Sequence, residues 1–400
     1  MTETLAQAAA ADIPYNPFKA GFYADPRPVY RRLRDEAPVY WSKDCNLWVL
    51  SRYDDVRAAL LNWKSFSNEA GAGSNGPVGK IFEMAPNLLM FDPPRHTNLR
   101  RIIATLITPQ RMRELGNYVR QRVNELLDPL EGESRFDLTQ DFADPLPMRV
   151  IADLLGIPQE DAPGLMHAVD KLADHNRGDV ERNTVEALTE MMDYYRAFFR
   201  SRATRPAGDD IVWHLMEASR AGLLSDAETL GFAILVTIAG GETTTKMIGN
   251  MAQLLFENPD QRALLARSPD LTRNAIEEAL RYNSPTHMLT RTLTEDVTLH
   301  GETMRAGDMV ALVYNSANND ERKFSDPDRY DIRRTLRGDH VAFGAGIHAC
   351  LGAPLARLEL AAAFEEIMRR WPDFQLDREN MVRYFNPFTS GFRHIPFSTR

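Results

Sequence analysis

Apolar residues recur three and four apart over most of the chain, the spacing of helices that bury one face. From residue 95 to 202 this pattern is nearly continuous. It breaks only at Thr108-Pro109, Gly132-Glu133-Ser134, Gly156-Ile157-Pro158 and Asn176-Arg177-Gly178. Short breaks between long helices predict a packed helical array. A polar stretch, 201–208, separates it from a second long pattern over 225–258. Ser225 with Glu228 three positions later forms a capping box that marks the start of this helix. Asn258-Pro259 and Ser268-Pro269 punctuate two more helices, the second running over 271–282. Shorter helices are predicted at 25–36 and 54–62. Strand-like runs are few: 39–41 and 47–50, joined through residues 42–46, then 297–299 and 309–313 around Gly301 and Gly307. The last 25 residues are irregular or strand-like. No repeat or low-complexity linker divides the chain. The expectation is one domain over 1–400, mainly α with a small β-rich portion.

Composition narrows the function classes. A net charge of −9, from 47 basic and 56 acidic residues, argues against a general nucleic-acid binder. Cys45 and Cys350 are the only cysteines. That excludes a disulfide framework and a multi-cysteine zinc site, and suits a reducing compartment. The most apolar run, 229–241, is 13 uncharged residues and too short to span a bilayer. No signal or anchor segment is read at the N-terminus, so a soluble, cytoplasmic protein is expected. Cys45 falls on the hairpin turn and is read as a thiol without function. Gly71, Gly73 and Gly76 match G-x-G-x-x-G formally, but no strand precedes them and Pro77 follows. The dinucleotide context is missing, and a loop over a site is the better reading.

The chemistry concentrates in Phe343-Gly344-Ala345-Gly346-Ile347-His348-Ala349-Cys350-Leu351-Gly352. A helix pattern follows at once, with Pro354 in its first turn. Cys350 therefore stands just ahead of a helix N-terminus, where free N–H groups and the dipole favour a thiolate. The glycines let the backbone approach something large and flat. A thiolate on such a loop suits a thiolate-ligated haem iron. In the long helix, Ala239-Gly240-Gly241-Glu242-Thr243-Thr244-Thr245 puts two glycines and three β-branched residues where helix propensity disfavours them. The physical reading is a local opening beside a ligand, with an acid and an alcohol aimed into it.

The cysteine loop resembles the haem-binding loop of the cytochrome P450 family, and four further stretches follow that family's order. Glu242-Thr243 is similar to its acid–alcohol pair. By that resemblance Glu242 relays protons and Thr243 orients the iron-bound oxygen and its water. Glu278 and Arg281 resemble its Glu-x-x-Arg pair, which joins a later arginine, here Arg329, in a structural network behind the haem loop. The family often shows Asn-Arg-Asp where this chain has Asn318-Asn319-Asp320, which is expected to remove one local contact. His96 and Arg100 lie one helical turn apart. With Arg291 and His348 the resemblance makes them ligands of the haem propionates, and Phe343 and Gly352 complete the cofactor loop. Residues 285–291 resemble the segment that passes over the haem edge. Leu88, Leu89, Phe232, Ile238, Ala239, Met288, Leu289, Phe388 and Thr389 are the candidate pocket lining.

The resemblance implies a P450 fold holding haem b (iron protoporphyrin IX) on the Cys350 thiolate. It implies a monooxygenase that activates O2 and hydroxylates or otherwise oxidises an apolar small molecule such as a terpenoid, steroid, fatty acid or aromatic. Coupling, desaturation or peroxide-driven oxidation is the alternative, and a haem-binding sensor without turnover a further one. No reductase domain is read in the sequence, so the electron donor is expected to be a separate ferredoxin with its NAD(P)H reductase. Arg100, Arg101, Arg111, Arg113, Arg333, Arg334 and Arg357 are the candidate docking patch for it.

Overall fold

The computed structural model describes residues 13–19, 21–69, 85–104, 109–173, 175, 179–384 and 386–399. The Gly71, Gly73 and Gly76 loop, Thr108 and the break at 176–178 lie outside them. Thirteen α-helices occur among the described residues. The first eight are α1 (Arg27–Glu36), α2 (Tyr53–Leu61), α3 (Arg95–Ala104), α4 (Pro109–Leu127), α5 (Pro145–Leu155), α6 (Ala162–Ala173), α7 (Val180–Arg202) and α8 (Ile211–Arg220). The others are α9 (Asp226–Glu257), α10 (Pro259–Arg267), α11 (Thr272–Tyr282), α12 (Tyr314–Ala317) and α13 (Ala353–Arg370).

The long helix α9 organises the rest. Its 32 residues span about 48 Å at 1.5 Å per residue. The expected capping box starts it: Ser225 Oγ accepts from the Glu228 N–H at 3.2 Å, and the Ser225 N–H donates to the Glu228 carboxylate at 2.8 Å. Arg95 Nε donates to the same carboxylate at 2.7 Å and ties α3 to this end. Helices α5, α6, α7, α8, α11 and α13 all pack on α9, so it is buried on nearly every side. A helix buried all round must be apolar all round, which explains its long uncharged run.

The β portion is small. A five-stranded sheet contains β1 (Val39–Ser42), β2 (Leu47–Leu50), β3 (Phe66–Ser67), β5 (Met288–Leu293) and β8 (Met309–Val313), in the order β1-β2-β8-β5-β3. Among the described strands only the β2–β8 pair is parallel. Strand β4 (Arg135–Asp137) pairs near the C-terminus with β12 (Pro396–Ser398), which also pairs with β9 (Gln375–Leu376). Two hairpin-like pairs complete the set: β6 (Val297–Leu299) with β7 (Glu302–Met304), and β10 (Val382–Arg383) with β11 (Phe392–His394). Periodicity alone did not predict β5. Its sequence is a mixture of sizes and polarities, and pairing with β8 and β3 makes it a strand. A π-helical turn, Leu138–Ala143, likewise interrupts what reads as helix.

Candidate active site

The cysteine loop is held in shape by its own backbone. The Cys350 N–H donates to the Phe343 carbonyl at 2.8 Å. Gly344 and Gly346 take φ of +67° and +71°, a region L side chains rarely enter. A Cβ at Gly346 would also stand 2.6 Å from the Leu60 carbonyl oxygen. That glycine therefore serves contact with α2 rather than with a ligand. Gly352 caps α13, and the N–H groups of Gly352 and Ala353 point at the cysteine sulfur. Burial pushes the thiol up from its ordinary value, while those N–H groups, Arg100 and Arg357 act in the opposite direction. Cys350 lies deep in the fold and is nonetheless accessible, so its open face looks onto an internal space. Behind the loop, Arg357 lies 4.5 Å over the Phe343 ring. It grips Glu277 with two bonds of 2.6 and 2.9 Å, and His340 adds a third at 3.0 Å. Burial opposes ionisation of Glu277, but these partners prevail and hold it at about 2.

Four nitrogen-bearing side chains converge beside this loop. The His96 and His348 rings are 4.3 Å apart, and none of their four ring nitrogens has a hydrogen-bond partner among the described residues. Arg100 Nη2 donates to the Ala349 carbonyl at 2.7 Å. Arg291, buried on β5, donates from Nη1 to the Thr290 carbonyl at 2.8 Å. Both guanidiniums act on His348, which burial chiefly pushes down. Burial, then His348 and Arg100, holds His96 at about 4. Buried donors without acceptors are costly, and this set is short of negative charge. Two carboxylates would complete it, which is what the haem propionates bring. The sequence reading gave Asp92 no role. It accepts from Ser67 Oγ at 2.6 Å and the Asn68 N–H at 3.3 Å. Its 3.8 Å separation from His348 Nε2 is too long for a hydrogen bond.

The structural network differs from expectation in one member. Glu278 and Arg281 are fully buried and joined by two bonds of 2.7 and 2.8 Å. Arg329 faces solvent and contributes only its carbonyl, which accepts from Arg281 at 3.4 Å. The second guanidinium is that of Arg334, whose Nε donates to Glu278 at 3.0 Å. The turn at Asp326, with φ of +45°, buries Tyr330 and Ile332 and leaves Arg329 outside. Asn319 stands inside the network: its Oδ1 accepts from Arg281 at 3.1 Å, and its amide donates to Tyr282 and Asn315 carbonyls.

On α9 the glycines have another use than an opening. The helix runs unbroken through them. A Cβ at Gly240 would lie 2.4 Å from Ile151 Cδ1, and one at Gly241 2.6 Å from Met148 Cε. They let α5 approach closely. Thr243 Oγ1 donates back to the Ala239 carbonyl at 2.9 Å. Glu242 accepts from Thr389 Oγ1 at 2.9 Å and pairs with Lys246. Ala239 is exposed on a helix whose other mid-length residues are buried or half-buried.

The comparisons agree with this arrangement. A family model described as cytochrome P450 matches residues 268–393. The putative cytochrome P450 123 of Mycobacterium tuberculosis is 35% identical over 390 residues, 96% of each chain. The chain belongs to the cytochrome P450 family. Its relatives include the cytochrome P450 monooxygenase PikC of Streptomyces venezuelae, 36% identical over 95% of this chain and 92% of that one. The crystal structure of CYP109E1 from Bacillus megaterium in complex with testosterone superposes with a TM-score of 0.86. It is 33% identical, covering 94% of this chain and 98% of that one. The P450 is thus a haem-thiolate enzyme with a cysteine as axial ligand of iron protoporphyrin IX. The buried histidine and arginine donors and the accessible Cys350 thiol fit that group.

The residues expected to line the P450's pocket differ in burial. Phe232 and Leu88 are sealed in the main core. Met288 is sealed in a second core, where Tyr15 Oη donates to its sulfur at 3.1 Å. Leu89, Ile238, Leu289, Phe388 and Thr389 keep accessible surface. Leu235 and Val236, which the sequence reading passed over, continue the accessible stripe of Ile238, Ala239, Glu242 and Thr243 along α9. The candidate docking arginines also thin out. Arg334 and Arg357 hold Glu278 and Glu277, and Arg111 donates to the Asp209 carbonyl at 2.8 Å. Arg100 serves the cysteine loop, whereas Arg101, Arg113 and Arg333 are exposed. No helix among the described residues is long and apolar enough to cross a membrane.

Glu359 on α13 was also missed. It is buried, within hydrogen-bonding reach of Thr244, and burial pushes it up to about 8. The folded protein therefore keeps a proton there that the unfolded chain releases near its ordinary value of 4.5. That stabilisation is complete below about 4.5 and fades toward 8, by up to about 1.4 kcal/mol per pH unit. Glu359→Gln removes the slope. The variant is expected to melt increasingly above the parent as pH rises from 5 to 8, which thermal unfolding at both values checks.

Proposed function

We propose that this P450 inserts one atom of O2 into an apolar small molecule, with electrons from a separate ferredoxin and its NAD(P)H reductase. The carrying observation is the Glu242-Thr243 pair on the accessible stripe of α9, together with the Cys350 loop. The haem, when bound, supplies the oxygen activation. One substrate C–H, O2, two electrons and two protons give one hydroxylated product and one water. The chain's own contribution is to bind, orient and supply those protons. The Thr243 hydroxyl can turn from the Ala239 carbonyl to a water in the site, and Glu242 is the acid next to it. General acid help of this kind contributes roughly 10²–10⁴-fold.

His96, Arg100, Arg291 and His348 hold the propionates, and Gly352 and Ala353 N–H groups keep the thiolate. Leu235, Val236, Ile238, Ala239, Leu289 and Phe388 give a mostly apolar wall. That supports an apolar substrate, and the testosterone bound by CYP109E1 makes steroids the first class to screen. The two lone cysteines support a reducing, cytoplasmic setting.

Thr243→Ala tests the proton assignment. We expect hydrogen peroxide released per NADH to rise severalfold while NADH oxidation continues. An unchanged yield would overturn the assignment and favour an oxidation that does not draw protons through this pair.

A further inference from the structure

Lys246 is the one lysine among the described residues that is buried, at 1% exposure. It lies on α9 in the middle of the protein, four residues after Glu242. Burying an ammonium is costly unless it is paired and hydrogen-bonded, and here it is both. Its Nζ pairs with Glu242 Oε1 and donates to Thr389 Oγ1 at 2.8 Å. The Thr389 hydroxyl donates in turn to the same Glu242 oxygen at 2.9 Å. Glu242, Lys246 and Thr389 thus close a triangle on Oε1. Glu242 Oε2 has no protein partner among the described residues, and the side chain keeps 12% of its surface.

The surroundings are built to hold the lysine. A Cβ at Gly391 would stand 2.5 Å from Lys246 Cβ and Cγ, so only glycine lets the C-terminal loop lie against the stem. The ammonium sits 4.8 Å from the centre of the Tyr384 ring, a cation–π distance. Tyr384 Oη donates to Asp170 on α6 at 2.7 Å. Asp144, Asp170 and Glu242 all act on Tyr384, and Arg383 and His287 lie in the same interior region. The lysine is therefore the centre of a polar cluster that joins α9 to the loop at 386–391. That loop also carries Phe388 and Thr389, both part of the accessible pocket wall.

A carboxylate at position 242 without such anchors would sample several rotamers. Glu at i with Lys at i+4 is the favoured order for a helical ion pair, and Thr389 fixes it from outside the helix. We propose that Lys246, with Thr389, is a positioning residue for the distal acid, holding the Glu242 carboxylate in one orientation with Oε1 tied and Oε2 left for proton transfer. It rests on the reading of Glu242 as the proton-relay acid. It adds that the acid is set by the C-terminal loop, so a ligand that moves this loop also moves the acid.

The test uses the haem-loaded full chain with ferredoxin, reductase and NADH and needs no organic substrate. Dioxygen then leaves as hydrogen peroxide, which takes two electrons and two protons from one NADH turnover, or as two waters, which take two further electrons from a second NADH and two further protons. Glu242→Gln is the reference. Lys246→Met keeps the stem and removes the charge, and Thr389→Val keeps the shape and removes the hydroxyl. We expect peroxide per NADH to rise in all three, with Thr389→Val between the parent and Glu242→Gln, because the acid remains but is less firmly placed. Melting temperatures supply a readout independent of turnover. Removing one partner of a buried pair is worse than removing both, so Glu242→Gln/Lys246→Met should melt above Lys246→Met alone. If Glu242→Gln leaves peroxide unchanged, the relay reading falls. If Glu242→Gln raises it but Lys246→Met and Thr389→Val do not, the positioning role is wrong and the cluster is structural. Should Lys246→Met fail to fold, Thr389→Val alone decides.

Discussion

Cys350→Ser is expected to reduce monooxygenase turnover to background while leaving a folded chain. The loop does not need the sulfur to hold its shape. Its closure rests on the Cys350 N–H bond to Phe343, on positive φ at Gly344 and Gly346, and on the Leu60 contact. What serine removes is the thiolate that two N–H groups and two guanidiniums surround. An alkoxide is far harder to form than a thiolate, and the electron donation that favours O–O cleavage goes with the sulfur. Turnover and thermal unfolding measured side by side check the pair of statements. Loss of both would place the role of Cys350 in folding instead.

Arg281→Ala is expected to cost roughly 3–5 kcal/mol, because it leaves the Glu278 carboxylate buried beside a lost partner. Arg281 also donates to the carbonyls of Asn318, Pro327 and Arg329 and to Asn319 Oδ1, so several acceptors are stranded together. Against a total stability of about 5–15 kcal/mol, that is a large share of the margin, and the denaturant midpoint should fall well below the parent's. Arg329→Ala is expected to change stability by less than about 0.5 kcal/mol, as ordinary surface substitutions do. Denaturant midpoints of the two variants separate the network seen here from one in which Arg329 carries the charge.

The contrast between Arg281 and Arg329 shows where the sequence is readable. Glu278 and Arg281 share a helix, and helical spacing fixes their relation before any tertiary contact forms. The second arginine arrives through a turn with a positive φ at Asp326, and it is Arg334 rather than Arg329 that points inward. The start of α9 was legible because a capping box is local. The cysteine loop was legible because it runs directly into a helix. Gly240 and Gly241 were misread as an opening because their partners, Ile151 and Met148, lie about ninety residues away in the chain. Phe232 and Met288 look like any pocket residue by composition, and only packing tells a sealed side chain from an accessible one. Lys246 carried no local signal in the sequence. Its partners, Thr389, Tyr384 and Gly391, come from the far end of the sequence.

The two halves of the site are unequally distant from sequence. The donors proposed for the propionates and the thiolate come from three contiguous stretches, each with its own local signal. The distal side depends on which face of α9 stays accessible, and that is set by six helices packed around it. Substrate choice belongs to this second half, together with the loop that holds Thr389.

The CO-difference spectrum of the reduced, haem-loaded protein tests the central claim most directly. A Soret band of the thiolate-ligated type, lost in Cys350→Ser, is the predicted result. A band of the histidine-ligated type in correctly folded protein, or one that survives the substitution, would contradict Cys350 as the axial ligand and the reaction built on it.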